Sequence, residues 1–329
     1  SDKTKIPVYE INGTNSKYMK DLEIKCVASP GGTGAVNNGL YIASDPNETI
    51  LLPDLYWSPY LKMADVNKLS VSNYQMIKDN RFNLEGFIEK ANEIVKKDSK
   101  LVTILNDPCN NPTGYTLSEE EFSALIEYLN SLNVPCTVIY DIAYFDYYVK
   151  GMKEARKKFA LMAKANENIL FNIAFSASKT FSIYGLRLGA EIFISNNKDT
   201  VKQAFEVATC LARTRWSNVN RAAINLMIAI DKDPLLKEEV INDINNASLI
   251  LQKRISLFDK ESKEVGLDIY PVSGGFFACV NCEDGHALAE RLKNDKIYVL
   301  PFSKVIRVAL CSIPCDEIKG LAKRIKDCL

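Results

Sequence analysis

Residues 176–189 read Ser-Ala-Ser-Lys-Thr-Phe-Ser-Ile-Tyr-Gly-Leu-Arg-Leu-Gly, and the rest of the chain can be ordered around them. The apolar run just before, Ile169–Phe175, has the length and composition of a buried strand. It delivers Lys179 to a loop of small residues. Arg187 follows eight positions later, between Gly185 and Gly189. One lysine amine beside hydroxyls and a guanidinium suits a group that forms an imine next to a phosphate. A surface lysine after a strand is the ordinary alternative, so the rest of the sequence has to decide.

Upstream, Ile24–Ala28 reads as a strand that runs into Ser29-Pro-Gly-Gly-Thr-Gly-Ala35. Glycines between a strand and a helix let backbone N–H groups converge on an anion. Gly32-x-Gly34 with Gly39 also half-matches a dinucleotide fingerprint, which needs its third glycine sooner. Thr49–Pro53 is a further short strand, followed by Trp57. Asn83 and the Ser118/Glu121 capping box start two amphipathic helices. Between them the strand Leu101–Leu105 ends at Asn106-Asp-Pro-Cys-Asn-Asn-Pro-Thr-Gly114. The run Cys136–Tyr140 ends on Asp141, and a carboxylate there is costly to bury without a cation.

Taken in this order, the lysine loop, the glycine loop, Asn111-Pro-Thr-Gly114 and Asp141 resemble the signatures of the class I/II aminotransferases. These are fold-type I enzymes dependent on pyridoxal 5'-phosphate (PLP). The resemblance implies an α/β fold of the PLP-transferase type: a large α/β/α domain on a mostly parallel, mixed seven-stranded sheet, with a smaller α+β C-terminal domain. We place the large PLP-binding domain at 1–240 and the small one at 241–329. The family's N-terminal arm has no evident counterpart in the short polar segment ahead of the glycine loop.

Carried over residue by residue, the resemblance makes Lys179 the lysine that bonds to PLP and shuttles the proton. Asp141 partners the pyridine nitrogen, and Asn111 and Tyr144 hydrogen-bond the ring oxygen. Trp57 lies against the ring face. Gly32, Thr33, Gly34, Ser176, Ser178 and Arg187 hold the phosphate. Arg307 grips the substrate α-carboxylate. Arg213, four residues before Ser217-Asn218, takes the distal carboxylate in the neighbouring subunit of a homodimer, with Arg215 close enough to compete for the role. The histidine that often backs the buried aspartate is absent; Tyr60 and Asn106 stand near its places.

The implied activity is transfer of an amino group between an L-amino acid and a 2-oxo acid. A PLP-dependent C–S β-lyase, or a PLP-binding domain without activity, shares most of these residues. Composition bounds the partners. Basic and acidic residues balance at 41 each, so nothing points to nucleic acid. No apolar run reaches a membrane span of about 20 residues, and the start lacks the basic-then-apolar order of a secretory signal. Nine cysteines in a chain of 329 residues favour reduced thiols and a cytoplasmic location. Cys279-x-x-Cys282 and Cys311-x-x-x-Cys315 could be read as zinc ligands, but Cys279 sits in a predicted core strand, so no metal site is expected. His286, the sole histidine, starts a predicted helix and leaves no set for hydrolase chemistry.

Overall fold

The computed structural model describes residues 22–329; the polar stretch 1–21 lies outside them. Seven strands form one sheet: β1 (Glu23–Ser29), β2 (Thr49–Pro53), β3 (Ser70–Tyr74), β4 (Leu101–Asn106), β5 (Cys136–Asp141), β6 (Ile169–Ser176) and β7 (Gly189–Ser195). Their spatial order is β1-β7-β6-β5-β4-β2-β3. All run parallel except β7, which lies antiparallel between β1 and β6. This is the mixed, mostly parallel sheet expected.

The strands are apolar throughout because both faces of the sheet are covered. Successive side chains alternate between two cores. Leu51, Leu105, Tyr140 and Phe171 pack on one face against the helices Leu84–Asp98, Glu119–Ser131 and Met152–Met162. Ile50, Leu52, Ile104 and Ile139 face the other way, against Gly31–Ala43 and Pro59–Val66. The helix starts are locally encoded. Asn83 accepts from the Gly86 amide, and Ser118 and Glu121 complete a capping box.

The polar residues at the strand ends are where the sheet does its chemical work. Asn106, Asp141 and Ser176 are the last residues of β4, β5 and β6. In open α/β sheets the carboxyl ends of parallel strands line the ligand crevice.

Beyond β7, the helices Lys198–Arg215, Arg221–Lys232 and Pro234–Val265 lead to a three-stranded antiparallel sheet. Its order is β8 (Phe277–Asn281), β10 (Val305–Ala309), β9 (Leu300–Pro301). Ile255 and Phe258 of the long helix pack over it with Leu288, Leu292, Ile306 and Leu321. Residue 240 lies inside that long helix.

Two local patterns mislead: Ile297–Leu300 reads in the sequence as a strand, and Ile318, Leu321, Ala322 and Ile325 read as the buried face of one closing helix. The strand expected at Ile297–Leu300 shrinks to Leu300–Pro301, because Lys296 turns left-handed (φ 57°) and the Ile297 amide closes the preceding helix on the Leu292 carbonyl. The final helix is two short ones, Cys315–Ile318 and Leu321–Asp327, broken where Gly320 adopts φ 81°.

One buried ion pair supports the loop after β4. The Lys158 amine donates to Asp107 Oδ2 at 2.5 Å, with both side chains almost wholly buried. Asp107 also accepts from Tyr140 Oη and the Leu117 amide. Removing one partner of such a pair leaves an uncompensated charge. Lys158→Ala is therefore expected to cost about 3–5 kcal/mol of stability, read from urea unfolding. A loss under 1 kcal/mol would mean that the Asp107 charge has adequate partners without the amine.

Candidate active site

β6 ends at Ser176, whose hydroxyl accepts from the Ser178 amide at 3.3 Å and starts the single helical turn Ala177–Thr180. That turn carries Lys179. It is anchored from below: Tyr147 Oη donates to the Lys179 carbonyl at 2.8 Å, and Thr180 Oγ1 donates to Asp146. The lysine amine is left facing a cavity, 4.9 Å from the Tyr184 ring centroid and 5.9 Å from that of Phe276. Burial pushes this amine below its ordinary range; Cys311 opposes that shift and the Arg187 charge adds to it.

The same cavity receives Asp141 from the end of β5. Its carboxylate is buried and accepts two hydrogen bonds, from Tyr60 Oη at 2.5 Å and from the Ala143 amide at 3.0 Å. Burial raises the carboxyl above its usual range, and these two donors pull it back toward the charged form. Asn106 ties this strand end to the next loop: its Nδ2 donates to the Asp141 carbonyl at 3.0 Å, and its Oδ1 accepts from the Asn111 amide at 2.7 Å. Asn111 in turn donates from Nδ2 toward Tyr144 Oη at 3.4 Å. Its Oδ1 accepts from Arg307 Nη1 at 2.8 Å.

A cradle for an anion closes the cavity. The 13-residue helix Gly31–Ala43 has no side-chain cap, so its first amides are free for a ligand. Arg187 spans the gap beside it, donating from Nη1 to Ser178 Oγ (3.2 Å) and the Tyr184 carbonyl (2.8 Å), and from Nη2 to the Pro30 carbonyl (3.1 Å). The close approach needs glycine: at Gly31, with φ 74°, a Cβ would lie 2.4 Å from Arg187 Nη2.

An anion cradle, a depressed amine and a buried carboxylate share one cavity lined also by Trp57, Asn111 and Tyr144. These residues fit PLP by the chemistry of their donors: cations and amides for phosphate, an amine for an aldehyde, a carboxylate for a ring nitrogen. Comparison with known proteins agrees. The profile of the family described as aminotransferase class I and II matches residues 12–325. The chain belongs to that family. Its members are enzymes.

A histidinol-phosphate aminotransferase from Caldanaerobacter subterraneus subsp. tengcongensis is 28% identical over 302 residues, which cover 89% of this chain and 75% of the relative. A crystal structure of an aminotransferase from Anaerococcus prevotii superposes with a TM-score of 0.89 at 30% identity, covering 92% of this chain and 75% of that one. An aromatic-amino-acid aminotransferase from Burkholderia pseudomallei, described as covalently bound to pyridoxal phosphate, superposes with a TM-score of 0.80 at 22% identity over 96% and 78% of the two chains. The chain spans little more than half of two Pseudomonas aeruginosa relatives, an aspartate aminotransferase (56%) and an aromatic-amino-acid aminotransferase (55%).

Against this family pattern, the structure brings every residue given a site role in the sequence to the cavity wall except Gly34, Arg213, Arg215 and Arg307. Gly34 makes room for Pro30, whose Cδ would lie 2.5 Å from a Cβ there. Arg307 stands one residue behind the wall, on Asn111, with its guanidinium 4.0 Å from the Phe277 ring centroid and its Nε buried without a partner. Arg213 is exposed and donates to Ser217 Oγ at 2.6 Å. Arg215 turns to Asn38 Oδ1 at 2.8 Å and to the Tyr41 ring. Cys279 is buried in β8 and donates to the Pro112 carbonyl, and His286 is exposed at the start of Gly285–Asn294.

Sequence reasoning gave no site role to Tyr184, Ala143 or Cys311. Tyr184 and Ala143 line the cavity, and Cys311 is close enough to shift Lys179. None has a signal in sequence: one contributes only a backbone amide, and the others reach the cavity through packing.

Proposed function

We propose that this chain is a PLP-dependent aminotransferase that moves an amino group between an L-amino acid and a 2-oxo acid, with Lys179 as the residue bonded to the cofactor. The observation that carries this reading is the meeting of the Lys179 amine and the buried Asp141 carboxylate in one cavity beside the Gly31–Ala43 helix start. Gly32, Thr33, Ser176, Ser178 and Arg187 hold the phosphate. Asp141 would hold the proton on the pyridine nitrogen, Asn111 and Tyr144 would bind the ring oxygen, and Trp57 would pack against the ring. Bound PLP supplies the electron sink that stabilises negative charge at the substrate α-carbon.

The protein's own residues then supply binding and proton transfer. Arg307 offers the substrate α-carboxylate two parallel N–H donors, which fixes the orientation of the breaking bond. Lys179 Nζ takes the proton from the substrate α-carbon. Burial shifts this amine toward the neutral form, the form that can act as a base. The aminotransferase names of the relatives support this chemistry over the C–S lyase alternative.

We further infer a homodimer in which Arg213 serves the partner's cavity, since it lies exposed and away from its own. The division into a PLP-binding domain at 1–240 and a C-terminal domain at 241–329 belongs to the same reading. Nine unpaired cysteines support a reducing compartment such as the cytoplasm. Among the described residues no helix is long and apolar enough to cross a membrane.

The direct test is spectroscopic. The protein with PLP is expected to show a visible band that borohydride bleaches, leaving the added mass on Lys179. An amino acid should convert that band to the pyridoxamine form. Formation of 2-oxo acid without any amino acceptor would favour the lyase instead. Arg307→Ala is expected to raise the KM for the amino acid about 30-fold or more while the PLP band persists. Loss of the band in that variant would refute the assignment of Arg307 to substrate.

A further inference from the structure

Tyr60 is the second residue of the Pro59–Val66 helix, and its side chain is buried to 1% exposure. Two contacts fix its place. Its amide donates to the Trp57 carbonyl at 2.9 Å, and its ring meets Trp57 edge-on with centroids 5.4 Å apart. A buried phenol has one proton to give. Here it goes to Asp141 Oδ2 at 2.5 Å, the short distance of a charge-assisted O–H···O⁻ bond. The other groups facing this carboxylate are the Ala143 amide, on Oδ1, and the Tyr144 phenol. Among the described residues no cation pairs with Asp141, so these neutral donors are what offset its burial.

We propose that Tyr60 is the positioning residue that keeps Asp141 ionised and fixed in one rotamer, ready to take a protonated pyridine nitrogen. The proposal rests on the functional reading above. Its chemistry follows from the donor: a phenol between a buried carboxylate and an apolar core stays neutral, because ionising it would place two negative charges side by side. Tyr60 therefore stabilises the carboxylate as a hydrogen-bond donor, holding one oxygen in place and keeping the charge available to the ring nitrogen.

The experiment uses PLP labelled with ¹⁵N in the ring, bound to the wild-type protein, Tyr60→Phe and Tyr60→His. Two quantities are read at neutral pH: the ring-nitrogen chemical shift and the PLP dissociation constant by equilibrium dialysis. Tyr60→Phe, which removes only the hydroxyl, is expected to bind PLP about 10- to 100-fold more weakly. Its ring nitrogen should move toward the unprotonated shift. Tyr60→His restores a donor and should return the shift toward wild type; it also answers for a phenylalanine variant that fails to fold.

A Tyr60→Phe protein whose ring nitrogen stays protonated overturns the proposal, whether or not its affinity has fallen, because weaker binding alone would mark a packing role. A histidine variant with an unprotonated ring nitrogen overturns it too. A wild-type chain that takes up no PLP overturns the functional reading itself, an outcome distinct from the other two.

Discussion

Lys179→Ala is expected to lower turnover by about 10⁴-fold or more while leaving the fold in place. The size follows from two proposed roles lost together: the amine that bonds to the cofactor and the base that moves the α-proton. Residues acting as a unit lose nearly everything when one is removed. The fold should survive because what holds this turn is backbone. Tyr147 bonds the Lys179 carbonyl, and the Ser176 hydroxyl caps the turn at the Ser178 amide. The lysine side chain itself only lies near the Tyr184 and Phe276 rings. Steady-state kinetics paired with a urea melt checks both halves. Activity above about 1% of wild type in a well-folded variant would transfer the proton-moving role to another group, because a general base accounts for at least ~10²-fold.

Asp141→Asn should reduce kcat by about 10²–10³-fold and weaken PLP binding. Asparagine keeps the shape: its Oδ1 can accept from the Ala143 amide while its Nδ2 donates to Tyr60 Oη, so the change removes mainly the charge. The sign of the stability effect is the opposite of the activity effect. Burial raises the Asp141 carboxyl above its ordinary range, so in the chain without cofactor the ionised group costs stability. Such a group is lost more cheaply than it is kept: the cofactor-free variant should unfold at an equal or higher urea concentration than wild type. A variant with normal kcat would remove Asp141 from the mechanism. One that is strongly destabilised would make it a structural anchor instead.

The parts of this site that could be read in the sequence are those where chemistry sits at the end of a local pattern. An apolar run that stops on Asp141, Asn106 or Ser176 marks a strand end. Strand ends of parallel sheets are where ligands bind, so the run and its last polar residue together predict both element and place. The capping box at Ser118 and Glu121 was legible for the same reason, since all its partners lie within four residues. Where reading failed, the competing force was again local but conformational. The turns at Lys296 and Gly320 end elements that hydrophobic periodicity alone would have continued.

Sequence by itself determined most of the strands and helices and the polar residues at the strand ends, because apolar periodicity and caps act over one or two turns. Tertiary structure alone decided which of those residues meet. Arg187 reaches Pro30 across 157 positions, Arg307 reaches Asn111 across 196, and Tyr60 reaches Asp141 across 81. It also turned Arg215 onto Asn38 and left Arg213 exposed, two arginines that compete for one role in the sequence. The physical reason is that a buried polar group must find a partner wherever packing delivers one, and packing is settled by the order of strands in the sheet.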